Sequence, residues 1–318
     1  MIRKKWNKKA MFFTILVLVL LSFFLVSYEI YNVSKDGKNI NNRVNTMNNF
    51  IFSLEQNIPR KLYISGFRII FLFEKRIITT GDYIDDVEYR FQEAFFNGTI
   101  KETVSEEENQ LLEGIIFSDI QGDLNEKARI VNINLTFSNP EVNITQVDSW
   151  NIQISLKFNL LIEDNNNLVS WNKTSFKVVS IPINNFEDPL YVVNTNGKIT
   201  NKIIKSPYEE FVVVEDVSNL INHVENSYYL TSSTGPNFLE RLEGKTSPVL
   251  NPNPYGIESL VYLPEFINQS IITKDKSVVD YIYFSDNNPT TRNILGMPNW
   301  FRLDENHIDV YNVGNILI

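Results

Sequence analysis

From Ala10 to Tyr28 the chain is apolar except at Thr14, Ser22 and Ser27, and no polar stripe runs through it. A helix on a soluble core keeps such a stripe. At about 1.5 Å per residue the run covers roughly 28 Å, the thickness of a bilayer's hydrocarbon core. The pattern predicts an uncleaved transmembrane signal-anchor over residues 10–29, whose partner is the lipid bilayer. Two other readings start from the same stretch. A cleaved signal has a shorter apolar region and a small-x-small site, and Leu25-Val26-Ser27 fits that site poorly at its first position. A prepilin-type cut near Lys8-Lys9-Ala10 lacks the glutamate usual early in pilin helices.

Beyond the anchor the pattern becomes helical. Ile40, Val44, Met47, Ile51, Leu54 and Ile58 recur at steps of three and four, one face of a polar helix. Gly37 is expected to break it from the anchor and Pro59 to close it. Residues 62–73, LYISGFRIIFLF, are apolar but too short to span and carry Arg68 at their middle, so they read as a core element. Residues 82–96 predict an amphipathic helix with Ile84, Val87, Phe91, Ala94 and Phe95 inward, stopped by Asn97-Gly98. Ser105 and Glu108 form a capping-box pattern at the next helix.

Near residue 130 the period drops to two. Trp150, Ile152, Ile154, Leu156, Phe158 and Leu160 fall on one strand face, and Asp164 to Asn167 read as the turn between long antiparallel strands. Asn196-Gly197 predicts a second hairpin, 190–195 with 198–204. Further on, VEDVSNLINHVEN reads as a helix and TGPNFLERLEG as a turn and short helix ended by Gly244. KTSPVLNPNPYG is an exposed loop, and SVVDYIYFS and HIDVYNV look like strands. The fold class is α+β: an N-terminal transmembrane helix, a helical lead, an antiparallel β-meander and an irregular mixed C-terminal region. The segments are a basic tail over 1–9, the anchor over 10–29, a helical membrane-proximal region over 30–130, the sheet over 131–205, and a mixed region over 206–318 packed on the sheet.

Charge gives this layout an orientation. Arg3, Lys4, Lys5, Lys8 and Lys9 precede the anchor, so the positive-inside bias leaves the N-terminus cytoplasmic and the main domain extracytoplasmic. The formal charge is −9, and setting those five cations aside makes the remainder more acidic still. That argues against nucleic acid as a partner. There is no cysteine, which removes disulfides, zinc–thiolate sites, iron–sulfur clusters and thiol nucleophiles. Asn32, Asn97, Asn134, Asn143, Asn172 and Asn268 each begin an Asn-x-Ser/Thr sequon, possible glycosylation sites that an asparagine-rich composition also generates unaided.

No residue set assembles a catalytic, cofactor or metal site in the sequence. His223 and His307 are the only histidines. His307, among Asp304, Glu305 and Asp309, lacks a second histidine at metal-binding spacing and reads as a solvated or strand-edge residue. The adjacent acids Asp85-Asp86, Glu187-Asp188 and Glu215-Asp216 point apart, and Asp188 before Pro189 suits a turn. Asp164 with its asparagine run reads as a turn ahead of a calcium loop, since the glycine and terminal glutamate of an EF-hand are missing. Ser247 and Ser259 have no nucleophile-elbow context, and Trp150, Trp171 and Trp300 read as packing residues.

The phrases FEDPLYVVNTNGKITNKI, GPNFLERLEG, NPYGIESLVYLPEF, SVVDYIYF and NWFRLDENHIDVY resemble those of a family of uncharacterised archaeal single-span, membrane-anchored surface proteins, over roughly residues 1–75 and 180–313. The order of basic tail, membrane helix, helical lead and sheet is similar to type IV pilin-like proteins. The family carries no assigned activity; the anchor, the orientation, the layout and the absence of a catalytic set lead us to expect a surface or envelope protein, not an enzyme, that assembles with itself or with other envelope or pilus proteins. Two other classes stay open: an ectoenzyme with paired carboxylates, and a receptor-like glycan or peptide binder.

Overall fold

The computed structural model describes residues 8–101, 105–166 and 168–318. Arg3, Lys4 and Lys5 of the basic tail and Asn167 of the predicted turn lie outside the described residues.

One helix, α1 (Lys8–Thr80), runs unbroken for 73 residues, about 110 Å at the usual rise. It does not break at Gly37 or close at Pro59, as the sequence led us to expect. An internal proline costs roughly 3 kcal/mol through a lost hydrogen bond and a ring clash. Leu54, Ile58 and Leu62, buried on both sides of Pro59, offset that cost at about 1.5–3 kcal/mol each. The predicted stripe is the buried face from Met47 onward, whereas Ile40 stays exposed. The 62–73 run is the last third of this helix, with Ile69, Ile70, Leu72 and Phe73 buried and Arg68 on the outer side.

Two helices follow, α2 (Val87–Asn97) and α3 (Glu106–Leu112). Asp86 caps α2 and Gly98 ends it at φ 69°. Ser105 and Glu108 make the full capping box on α3. A third, α4 (Phe117–Ile130), leads into the sheet. Its strands β1 (Ile133–Asp148), β2 (Asn151–Asp164) and β3 (Ser170–Pro182) lie antiparallel in that order. Ile152, Ile154, Leu156, Phe158, Leu160 and Ile162 point to the buried face, as strand alternation requires. Helix α1 crosses that face at Gly66, where a Cβ would stand 2.0 Å from Ile154 Cδ1 and 2.9 Å from Ile181 Cδ1. The helix lies this close because glycine has no side chain. Charge fixes the rest of the contact. Glu55 is bonded by Lys173 and Lys177 of β3. Arg43 donates to Asp164 Oδ1 at 2.5 Å and to the Asn132 carbonyl at 2.6 Å. Asp164 is therefore a turn residue and an ion-pair partner.

The remaining chain packs beside the sheet as α5 (Pro189–Asn194), α6 (Ser218–Glu225), β4 (Tyr229–Ser232), α7 (Phe238–Leu242), β5 (Gly256–Ser259), α8 (Leu263–Asn268), α9 (Asp280–Phe284), β6 (Thr291–Asn293) and β7 (Arg302–Asp304). Three strand expectations fail here. Residues 189–194 are helical because Asp188 caps them and Pro189 opens the first turn. Asn196 and Gly197 do take positive φ, 52° and 73°, but close that helix instead of joining strands. SVVDYIYF forms α9, and HIDVYNV is a 3-10 turn (Glu305–His307) followed by turns. SVVDYIYF is buried on nearly every side, and an apolar run without alternation does not tell strand from helix; in HIDVYNV only His307, Tyr311 and Val313 are buried, a spacing that is not strand alternation. One apolar cluster gathers α1, α2, α4 and the sheet; a second gathers residues from Leu190 to Ile316.

Filling the closest approach should destabilise the fold. Gly66→Leu is expected to cost about 1–3 kcal/mol through overpacking against Ile154 and Ile181. A circular-dichroism melt of the detergent-solubilised chain measures it, and an unchanged midpoint would mean that α1 sits further from the sheet.

Candidate functional site: an exposed helix and two buried charge clusters

The N-terminal part of α1 is unlike the rest of the molecule. Phe12–Asn32 has a mean hydropathy of 2.3 and is 0% buried by the protein, and among the described residues it is the one helix segment long and apolar enough to cross a membrane. Further along, Phe52, Tyr63, Phe67, Phe71 and Ile78 stay exposed on α1. At 100° per residue they fall within an arc of about 100° that borders the face meeting the sheet, and the buried Ile70 and Glu74 lie in the same arc. The sheet's own outer face is mostly polar, with Phe176 and Val178 of β3 as its exposed apolar residues. Asn134, Asn143 and Asn172 all project from it, Asn97 and Asn268 are exposed at the ends of α2 and α8, and Asn32 is half-buried.

Two charge clusters lie inside. The first centres on Arg241, which is 0% exposed. Its Nη1 donates to Asp188 Oδ2 at 2.5 Å and Asp280 Oδ2 at 2.8 Å, and its Nη2 donates to the Ile257 carbonyl and to Asp280 Oδ1 at 3.3 Å. Tyr229 gives its hydroxyl hydrogen to Asp188 Oδ2 at 2.7 Å, and Ser259 does so to Asp280 Oδ2 at 2.8 Å. Because Ser259 spends its hydrogen on Asp280, Tyr191 must donate to Ser259 Oγ at 3.0 Å. Burial pushes the Asp280 carboxyl up, against the pull of Arg241. Every group bonded to its two oxygens is a donor, which keeps it a carboxylate. The cluster joins the two apolar cores: Phe238 and Leu242 flank Arg241 in the first, and Val279 and Tyr281 flank Asp280 in the second.

The second cluster centres on His307, which the sequence placed in solvent and the structure buries to 2% exposure. Nδ1 donates to Asp304 Oδ1 at 2.7 Å, and Nε2 faces Glu258 Oε2 at 3.2 Å and the Tyr281 hydroxyl at 3.0 Å. Burial pulls its pKa down, but the bonds to Asp304 and Glu258 outweigh that and carry it up to about 10. An imidazolium between two carboxylates holds its proton at neutral pH and does not serve there as a base. Tyr281 passes its own hydrogen to Thr234 Oγ1 at 2.8 Å, at the wall of a polar cleft of about 480 Å³ that Ser247 and Asn306 also line. His223 is the opposite case. It is fully buried in α6 with Ser206 Oγ 3.0 Å from Nδ1, and burial drives its pKa to about 4.

Of the adjacent acids, only Asp188 enters a cluster. Asp85 binds Arg90. Glu215 sits with Val214 in a tight turn at φ 67° and 50°, bridged by Val213 and Asp216. Trp150, Trp171 and Trp300 are half-buried, and Ser259 belongs to the Arg241 cluster. Arg241, Asp280, Glu258 and Tyr281 were missed because they come from distant segments. A signal was present: each of NFLERL, VVDYI and GIESLV carries a charge inside an apolar run, and a buried charge requires a partner. Comparison with family models, with curated proteins and with solved structures returns no match to this chain.

Arg241→Met should destabilise the protein by about 3–5 kcal/mol, because Asp188 and Asp280 would then face each other unpaired. Adding Asp188→Asn and Asp280→Asn should recover part of that loss in the same melt. The histidines set a pH dependence of opposite sign. His307 binds its proton more tightly folded than unfolded, so its contribution is whole below about 6.5 and fades as pH rises toward about 10. His223 resists protonation when folded, so its contribution is whole above about 6.5 and fades as pH falls toward about 4. His307→Gln should therefore flatten the alkaline side of a stability–pH profile by up to about 1.4 kcal/mol per pH unit. An unchanged alkaline slope would show that His307 is neutral.

Proposed function

We propose that the chain is a membrane-anchored surface or envelope protein whose role is structural, the N-terminus lying in the cytoplasm and the main domain outside. The observation that carries this reading is the continuity of α1. One helix of 73 residues is strongly apolar over Phe12–Tyr28, without a polar stripe, and packs on the sheet from Met47 onward. A helix built that way ties a folded domain to a bilayer without a hinge of loop. Its exposed Phe52 and Tyr63 are the kind of surface that suits contact with another envelope protein or a second copy. The arrangement is similar to the layout of type IV pilin-like proteins, an analogy of architecture and not of residues.

The chemistry described above fits this reading. Both buried clusters are closed, each donor facing an acceptor, and neither offers a free base to substrate. Sequons on the open sheet face would place any glycans away from α1.

Protease added to intact cells should remove everything after about residue 35, counting the span from Asn32. Protection of the sheet domain would reverse the orientation. Leu18→Arg with Leu21→Arg should release or deplete the protein from membranes, since each arginine costs about 2.5–3.5 kcal/mol at mid-bilayer. Phe52→Asp changes an exposed residue, so it should leave the melt unaltered while reducing cross-linked oligomers or co-purifying envelope proteins. Full retention of those species would remove Phe52 from the assembly surface.

A further inference from the structure

A pocket of about 530 Å³ opens beside the C-terminal third of α1, against the segment 184–187 that precedes α5. Its apolar walls are Phe67, Phe71 and Ile78 from α1 and Phe186, whose ring lies 5.5 Å from that of Phe67, and Lys75, Lys202 and two asparagines stand at its polar side. Two carboxyls line it as well. Glu74, on α1, is 95% buried by its 5% exposure, and its Oε1 has no hydrogen-bond partner. Glu187 Oε2 is also buried without a partner. Neither belongs to the Arg241 or His307 cluster.

Orphaned buried acceptors are costly, and two in one cavity are rare enough to need an explanation. The charges facing them are few. Lys75 is bound to Glu107 of α3 at 2.8 Å. Lys202, paired across the bridge with Glu187, attracts that carboxylate, while Asp188 and Glu187 both repel a charge on Glu74. Burial, aided by Glu187 and Asp188, pushes the Glu74 pKa up to about 9, so in the empty pocket it carries its proton at neutral pH. What is missing is a group that donates to both oxygens and cancels the repulsion between the two carboxyls.

We propose that this pocket binds a small primary amine on an apolar stem, its ammonium between Glu74 and Glu187 and its stem against Phe67, Phe71 and Phe186. An ammonium offers three donors and a positive charge, which two acceptors and a pair of mutually repelling acids require. A ligand without a donor would leave the Glu187 oxygen unsatisfied and would give Glu74 no charge to ionise against. A metal ion would need more oxygen ligands, and no group of three such side chains occurs among the described residues. The aromatic walls favour an aralkyl stem. A lysine side chain from a partner protein shares the ammonium but not the ring. Binding ionises Glu74, so each amine bound should release about one proton near neutral pH, and affinity should rise with pH toward about 9.

The full chain in detergent micelles or nanodiscs is titrated with 2-phenylethylamine, 2-phenylethanol and Nα-acetyl-lysine amide by calorimetry, in two buffers of different ionisation enthalpy. Saturable binding of 2-phenylethylamine with proton release, and at least roughly tenfold weaker binding of the alcohol, is the expected result. Glu74→Gln, which replaces an already uncharged group, should keep the melting curve and weaken the amine at least roughly tenfold. Phe71→Ala, at an exposed wall residue, gives a second check that does not touch the acids. Tighter binding of the lysine amide than of the arylamine would keep the ammonium site and assign it to a partner's lysine. Equal binding of amine and alcohol, unaltered binding by both variants, or no saturable heat from either amine overturns the proposal.

Discussion

One helix serves two solvents, and the rest of the molecule is arranged around that constraint. Over Phe12–Tyr28 α1 has only Thr14, Ser22 and Ser27 as polar interruptions and no polar stripe; from Met47 to Ile77 one broad side is buried. Lipid demands the first pattern and a soluble core the second. Because no loop separates them, the helix must find its place on the sheet by side-chain fit alone. Gly66 lets it descend onto Ile154 and Ile181, while Arg43 and Glu55 fix its position along the strands. The sheet's register follows from the same contact. The buried face of β2 is the one that meets α1, and a one-residue slip would turn Ile152 to Ile162 outward.

The irregular C-terminal region depends on charge as much as on apolar area. Its strands are three or four residues long, too short to hold a sheet by themselves. Arg241 substitutes for part of that missing regularity. Its guanidinium reaches α5 through Asp188, β5 through Ile257 and α9 through Asp280. Its rigid fork suits such a junction better than a lysine's single ammonium. The His307 cluster repeats the device, tying the 3-10 turn to β5 through Glu258 and to α9 through Tyr281. Without disulfides, buried ionic junctions are how these short elements keep one arrangement.

What the sequence disclosed follows from how local each cause is. The anchor, the helix caps at Asp86 and Ser105, and the long strands were legible because periodicity and capping are set within a few residues. The class of fold, α+β with a sheet after a helical lead, came from the same signals. The ends of α1 were not legible, because Pro59 is overruled by packing from strands a hundred residues away. Nor were α5 and α9. Asp188-Pro189 is both a turn signal and a helix start, and VVDYIYF is apolar on every side. The candidate site was the least legible. The exposed sequons were visible as words, but the partners of Arg241, His307 and Glu74 are tertiary facts, hinted at only by charges standing in apolar surroundings.

Charge also bears on how the domain stands over a bilayer. The cations that the chain retains beyond its N-terminus are largely turned to internal use, in pairs such as Arg43 with Asp164, Lys173 and Lys177 with Glu55, and Arg241 with two aspartates. That leaves the domain a net anion, which anionic headgroups would repel at close range. From the end of the apolar span at Asn32 to Arg43, which bonds the sheet, α1 runs about 16 Å. The Debye length at physiological ionic strength is about 8 Å, so this interval spans roughly two of them. If the apolar span lies in a bilayer, as proposed above, this polar stretch would hold an acidic domain far enough from the headgroups to screen the repulsion. The same unbroken helix keeps that distance from collapsing, which a loop of equal residue count would not do.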